Sequence, residues 1–439
     1  MIPKAAQLIL LVATWFVCYC PQKQGEMNMN TIAESYVKLV LKIGLYDPDY
    51  VDAYYGPEAW RPAKLQGEPA QPFPFEELDQ EVSGLMAQLE NINQEKFGEP
   101  EKLRRAYLYK QLSSVKARID LLSGKKMTFD EESKALYDAV APTYNQEYFD
   151  QILKELEGAL PGLGEVSERL ANFRKAFIIP KEKLDAVFQA AIAECRNRTL
   201  KHMALPENEN FKVEYVTGKS WSAYNWYKGN YYSVIQVNTD LPIYIDQAID
   251  YACHEGYPGH HVYNALLEKH LMREKNWMEV SVYPLFSPQS LIAEGSANFG
   301  IDMAFPGNQR VEFEREVLFP VAGLDPAAAE KYYALLGLRK RLAYADNEAA
   351  RQYLDGKIDK EAALNWLTKY SLMTQERAER RVRFIEQYRS YVINYNLGQD
   401  IVKHYIEKNG GTEDNPDKRW ELFHRLLSTP QTPTGLYKE

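Results

Sequence analysis

The chain has 439 residues, enough for two or three average domains or one large body of two lobes. Hydrophobic residues make up 45% and charged residues 26%, the balance of a soluble globular protein. A net charge of −9 and a pI near 5.5, with no basic patch interleaved with aromatics, argue against nucleic acid or anionic membrane as a partner.

The first residues read as an export signal. Lys4 supplies a positive start, Ala5 to Val17 form a short apolar core, and polarity begins at Pro21. About thirteen apolar residues are too few for a spanning helix, which needs roughly 20. Cys20 is a candidate for lipid attachment, although Val17-Cys18-Tyr19 is a poor match to the small residues that precede such a cysteine. Residues 1–20 are therefore read as a signal peptide or a lipoprotein signal, giving an exported, periplasmic or cell-envelope protein. Membrane attachment would come only through a lipidated N-terminus. After cleavage only Cys195 and Cys253 remain, which is no disulfide framework.

From Met29 to about Thr199 the pattern is helical almost throughout. Ile32-Ala33, Tyr36-Val37, Val40-Leu41 and Ile43 follow i, i+3, i+4 spacing, as do Leu103–Leu122 and Leu184–Ile192. Gly56–Pro74 and Gly124–Met127 read as loops, and Leu160-Pro161-Gly162 as a break. No 20–50-residue period repeats, so a solenoid is not indicated. The texture changes between Phe211 and Val237. Lys212–Val216 and Tyr231–Val237 are rich in β-branched and aromatic residues, with Gly218 and Gly229 between them, and predict a small sheet. That sheet is either an edge for strand addition by an extended peptide or a lid hairpin. A helix carrying the motif below is placed from about Pro242. After Glu294 the chain returns to helices, with turns at Phe305-Pro306-Gly307, Leu324-Asp325-Pro326 and Leu397-Gly398. The Arg377–Arg383 run is diluted by Glu376 and Glu379 and reads mostly as a solvated helix face. The predicted architecture is mainly α, two lobes with a small β-sheet ahead of the motif helix. Residues 28–200 form an N-terminal helical lobe and 205–435 a second, catalytic lobe.

The chemistry concentrates in Cys253-His254-Glu255-Gly256-Tyr257-Pro258-Gly259-His260-His261, with Ala293-Glu294-Gly295 downstream. A His-Glu pair, histidines one to two turns later and a glutamate on another segment are the components of a zinc hydrolase. Two neutral imidazoles and a carboxylate suit tetrahedral zinc and leave a fourth position for water. Such water has its pKa lowered to about 7, and a neighbouring carboxylate can take its proton. The spacing departs from His-Glu-x-x-His, because the position four after His254 is Pro258. On an unbroken helix His260 would lie roughly 9 Å along the axis from His254. The helix must therefore break, and Pro258-Gly259 is the pair to break it. His260 would then replace the missing ligand, with His261 as its rival. Asn298, one turn after Glu294, is a candidate to orient a ligand imidazole.

This motif resembles the signature of a bacterial family catalogued as domain of unknown function 885, grouped with zincin-like metallopeptidases of the glutamate-ligand type. Asp52-Ala53-Tyr54-Tyr55-Gly56-Pro57, Ile178–Leu184, Arg383 and Tyr395-Asn396-Leu397-Gly398 resemble other parts of the family pattern, so the likeness runs over most of the chain. Carried over residue by residue, the resemblance implies metal ligands at His254, His260 and Glu294, with Glu255 as general base. It also places Tyr395, Tyr391 and Arg383 at the cleft, as candidates to stabilise an oxyanion. Two residues depart from the family: Ser296 stands where tryptophan is usual and Phe299 where tyrosine is. Both changes would open space and remove a hydroxyl near the metal. Tyr263 replaces a glutamine.

These features predict an exported zinc metallopeptidase acting on a peptide or amide substrate. The alternatives are a zinc amidase acting on a non-peptide substrate, or a catalytically silent surface protein on the same scaffold. An intact Glu255 speaks against the silent protein. The sequence carries no signal for oligomeric state.

Overall fold

The computed structural model describes residues 21–63, 72–219 and 221–438, with side chains from residue 28 onward. The export segment, including Cys18 and Cys20, lies outside the described residues. Among the described residues no helix is long and apolar enough to cross a membrane.

The chain is mainly helical with little strand, as the periodicity predicts. It opens with α1 (Pro21–Ile43), strand β1 (Val51–Tyr54), α2 (Phe75–Glu90), α3 (Glu99–Leu122), α4 (Phe129–Tyr137), α5 (Gln146–Ala159), α6 (Val166–Arg174) and α7 (Leu184–Leu200). Three strands follow, β2 (Asn210–Val216), β3 (Ala223–Tyr227) and β4 (Tyr232–Asn238), in the order β2-β4-β3. β4 is central, parallel to β2 and antiparallel to β3, which leaves β3 at the edge. Next come α8 (Asp246–Tyr251), α9 (His260–Leu267), the short strand β5 (Val282–Pro284) and α10 (Pro288–Ala304). The remaining helices are α11 (Gln309–Phe313), α12 (Phe319–Ala322), α13 (Ala329–Lys340), α14 (Ala345–Leu354), α15 (Lys360–Tyr370), α16 (Gln375–Tyr388), α17 (Ile393–Lys408), α18 (Pro416–Ser428) and α19 (Pro433–Lys438).

Three local outcomes differ from the sequence reading. The motif helix begins at Asp246 rather than near Pro242, because Tyr244 bridges to Ile178 and the Ile245 amide donates to the Phe177 carbonyl. β3 lies in a stretch with no alternation to mark it. β1 interrupts the N-terminal helices because its partner is β5, more than two hundred residues away. Such a pairing leaves no local trace.

One apolar core runs from Met29 to Leu436 and draws on residues before and after position 200. A smaller cluster joins α5 and α6 to α13 and α15 through Phe149, Leu156, Leu335 and Tyr370. Within the main body Arg104 is fully buried and gives two hydrogen bonds, of 2.6 and 2.9 Å, to the carboxylate of Glu279. A buried bidentate pair of this kind loses several kcal/mol if one partner is removed, about 3–5 kcal/mol in measured cases.

Candidate metal centre

Two backbone devices build the site. The first is the exit from α8. The chain continues into a wide π-turn over Ala252–Gly256, then reverses at Pro258-Gly259, and α9 starts at His260. Gly259 is required there: a Cβ on it would sit 1.9 Å from the His254 carbonyl oxygen. A π-turn re-registers the helix face, and such turns cluster at functional sites. The break predicted from Pro258-Gly259 is therefore present, and it brings His260 Nε2 to 3.1 Å from His254 Nε2.

The second device is the crossing of α10 and α17. Gly295 and Gly398 meet backbone to backbone; a Cβ on Gly295 would lie 2.3 Å from the Gly398 carbonyl carbon. This approach lets side chains on the two helices reach one another. The Tyr391 hydroxyl, just ahead of α17, donates to Glu294 Oε1 at 2.8 Å, and Asn298 Nδ2 donates to the Tyr395 carbonyl at 2.8 Å. α10 itself starts sharply after β5, with Ser287 as N-cap and Pro288 in the first turn.

Glu294 faces both imidazoles. Its Oε2 is 3.2 Å from His254 Nε2 and its Oε1 is 3.6 Å from His260 Nε2. Glu294 Oε2 is buried and has no aligned hydrogen bond among the described residues. Asn298 Oδ1 lies 2.9 Å from His254 Nδ1. The Tyr395 carbonyl fixes which way the Asn298 amide points, so Nδ1 must be the donor and Nε2 of the neutral ring offers its lone pair to the site. His254, Glu255 and His260 together offer one donor atom each within 4.8 Å of one another. Glu255 belongs to that cluster; it is buried, its backbone carbonyl is held by Asn225 Nδ2 at 2.6 Å, and its carboxylate accepts no hydrogen bond from the described residues.

These residues fit a metal. Ligand atoms around tetrahedral zinc with bonds of 2.0–2.1 Å stand about 3.3–3.4 Å apart. The two ring nitrogens stand 3.1 Å apart, and each lies 3.2 or 3.6 Å from one of the two Glu294 oxygens. His261 does not join them. It is fully buried, with Nδ1 at 2.9 Å from Ser233 Oγ and Nε2 at 3.0 Å from Glu209 Oε2. Glu209 also takes a 2.5 Å hydrogen bond from Tyr257 and pairs with Arg196. Both ring nitrogens of His261 are thus spent on anchoring β4 and the residues before β2 to the turn.

Charge within the site is strongly coupled. Burial alone would lower the His254 pKa, but contact with Glu294 and the charge of Glu255 outweigh it and raise it to about 9. Burial pushes Glu294 up, while His260 and His254 together hold it well below the usual carboxylate range. For Glu255 burial dominates and raises the pKa, with His254 and His260 offsetting part of the effect.

The site opens into a cleft of about 980 Å³. β3 contributes Ala223, Tyr224 and Asn225 to it, and α10 contributes Glu294, Asn298 and Ile301. Tyr395 lines the cleft beside Phe384 and Tyr391. Its hydroxyl has no partner among the described residues, and burial together with the charge of Glu294 keeps it protonated far above its ordinary pKa. Tyr391 is committed to Glu294. Arg383 is exposed on α16 and does not line the cleft; Arg377, Arg380 and Arg381 do, so that stripe is not simply a solvated face. Ser296, Phe299 and Tyr263 are buried, and none lines the cleft. Ser296 bonds to the Ala293 carbonyl, and Phe299 packs on Phe423. Positions 296 and 299 therefore contribute no space to the cleft.

Asp52 is a cleft residue to which sequence reasoning gave no role. The β1–β5 register slips between Val51 and Ala53, so Asp52 sits in a bulge, a device that re-aims a side chain. Its carboxyl bonds to the Tyr224 hydroxyl. Burial, then the charges of Glu294 and Glu255, raise its pKa to about 8. A bound cation would offset the two charges.

No family model and no curated protein matches the chain. Among solved structures it is similar to a protein of Colwellia psychrerythraea provisionally named a lipoprotein. The identity is 14%, with 86% of this chain and 69% of that chain covered and a TM-score of 0.53. At that identity the likeness establishes a shared fold.

Proposed function

We propose that the chain is an exported zinc-dependent hydrolase that cleaves peptide bonds. The observation that carries this reading is the convergence of His254 Nε2, His260 Nε2 and the Glu294 carboxylate at 3.1–3.6 Å, the separations a tetrahedral zinc site needs. Zinc held there would supply a Lewis acid and lower the pKa of a bound water to about 7. Glu255 takes the proton of the attacking water and passes it to the leaving amine; a buried carboxyl with a raised pKa suits both duties. The Tyr395 hydroxyl donates to the substrate carbonyl oxygen as it becomes negative. Asn298 fixes the His254 ring, and Tyr391 fixes the Glu294 carboxylate. The free edge of β3 on the cleft favours an extended peptide added as a further strand over a lid. The resemblance to the domain-885 family agrees with this reading, and the apolar start supports export.

The test is a mixed peptide library digested by the zinc-loaded protein and read by mass spectrometry, with Glu255→Gln as comparison. New termini from the parent, and none from a Glu255→Gln protein that still holds zinc, support the proposal. Equal cleavage by both, or by neither, overturns it.

A further inference from the structure

The cleft wall opposite the strand edge is rich in charge, and most of that charge is matched. Asp246 pairs with Arg174 at 3.2 Å and accepts from the Tyr332 hydroxyl. Asp250 and Glu314 both lie 2.8 Å from Arg310. Asp346 is 3.0 Å from Arg381, and Asp302 takes a 3.0 Å bond from Gln399 with Lys340 beyond it. Arg380 stands 4.0 Å from Asp240, at the outer limit of an ion pair.

Two cations are left over. Arg339 on α13 and Arg377 on α16 both line the cleft and are partly exposed. Among the described residues neither has a carboxylate within ion-pairing distance or a hydrogen-bond acceptor. Arg377 rests over the Tyr244 ring at 5.7 Å, which positions it without neutralising it. Burial first, then the like charges of Arg174 and Arg377, lower the Arg339 pKa, while the charges of Asp246 and Asp346 act the other way. Two guanidinium groups with no ion-pair partner among the described residues therefore face a pocket with low-dielectric walls, where field lines concentrate. Guanidinium groups are suited to carboxylates because their planar donor fork matches both oxygens.

We propose that Arg339 and Arg377 form an anion-binding subsite that takes a carboxylate of the peptide substrate, either a free C-terminus or an acidic side chain. The inference deepens the peptidase reading and rests on it for the identity of the ligand. The subsite lies in the same cleft as the metal centre, so it would select which peptides are held for cleavage.

The test is calorimetric titration of full-length, zinc-loaded Glu255→Gln protein with three acetylated alanine hexapeptides. One ends in a free carboxylate, one in a carboxamide, and one in a carboxamide with a central glutamate. At least tenfold tighter binding of one or both anionic peptides than of the neutral one is expected, and which of them gains identifies the source of the carboxylate. Adding Arg339→Gln and Arg377→Gln should erase that preference and leave the neutral peptide unchanged, whereas the double Arg→Lys change should keep it. Equal binding of all three peptides, no binding of any, or a preference that survives the double Gln change overturns the subsite. No turnover is needed, so a preference found in Glu255→Gln while the zinc-loaded parent cleaves no peptide would remove the peptidase reading and leave the subsite standing.

Discussion

Asn298→Ala isolates what orientation of a ligand contributes. In the parent, Asn298 accepts from His254 Nδ1 at 2.9 Å and donates to the Tyr395 carbonyl at 2.8 Å. Truncation removes both bonds. Loss of a partner that orients a ligand imidazole typically costs about 10–100-fold in metal affinity. Since tenfold corresponds to about 1.4 kcal/mol, the expected loss is about 1.4–2.8 kcal/mol of binding free energy. The freed Tyr395 carbonyl adds a stability cost of about 1–3 kcal/mol at the α10–α17 crossing. Zinc affinity is measured by competition with a chromophoric chelator at fixed pH, and stability by thermal melting of the metal-free form. Asn298→Asp separates the two effects: it keeps an acceptor for His254 but cannot donate to Tyr395. It should recover most of the zinc affinity while remaining less stable. An Ala variant that binds zinc within threefold of the parent would refute the reasoning.

Three further outcomes follow from the same geometry. Gly259→Ala drives a Cβ to within 1.9 Å of the His254 carbonyl, so it should distort the turn and weaken zinc at least as much as loss of Asn298; unchanged affinity in the chelator assay would contradict that. In the metal-free protein His254 titrates near pH 9, yet zinc needs the neutral ring. Zinc binding at pH 7.5 should then release a proton from His254, and affinity should rise about tenfold per pH unit up to about pH 9. Calorimetry in buffers of different ionisation enthalpy reads this directly, and a pH-independent affinity would refute it. The sign for folding is the reverse: a raised folded-state pKa contributes stability that is present below about pH 6.5 and lost as pH rises through about 9. Tyr395→Phe removes the proposed oxyanion donor but no proposed ligand, so kcat should fall about 10²–10³-fold with KM and zinc content nearly unchanged. A loss confined to KM would assign Tyr395 to substrate packing.

How much of this was legible in the sequence depends on range. Helices with strong i, i+3, i+4 spacing, such as α1, α3 and α7, appear where the pattern puts them, and the break at Pro258-Gly259 follows from local backbone chemistry. Asn298 was findable because one helical turn fixes its position relative to Glu294. Asp52 was not: its place depends on β1 pairing with β5 and on a bulge, and neither leaves a periodic signal. The choice between His260 and His261 also needed tertiary contacts. Only the fold shows that Ser233 and Glu209 occupy both nitrogens of His261. The Arg377–Arg383 run was misread for a related reason. A charged stripe looks solvated until the wall it faces is known, and here α16 turns three of those arginines toward the cleft.

The central claim is that His254, His260 and Glu294 hold one zinc ion, and elemental analysis tests it most directly. Purified protein, or protein reconstituted with zinc and freed of excess, should carry about one zinc per chain. His254→Ala, His260→Ala and Glu294→Ala should each lose it, while Glu255→Gln and a folded His261→Gln retain it. Negligible zinc in the reconstituted parent, or loss in His261→Gln with retention in His260→Ala, would contradict the account.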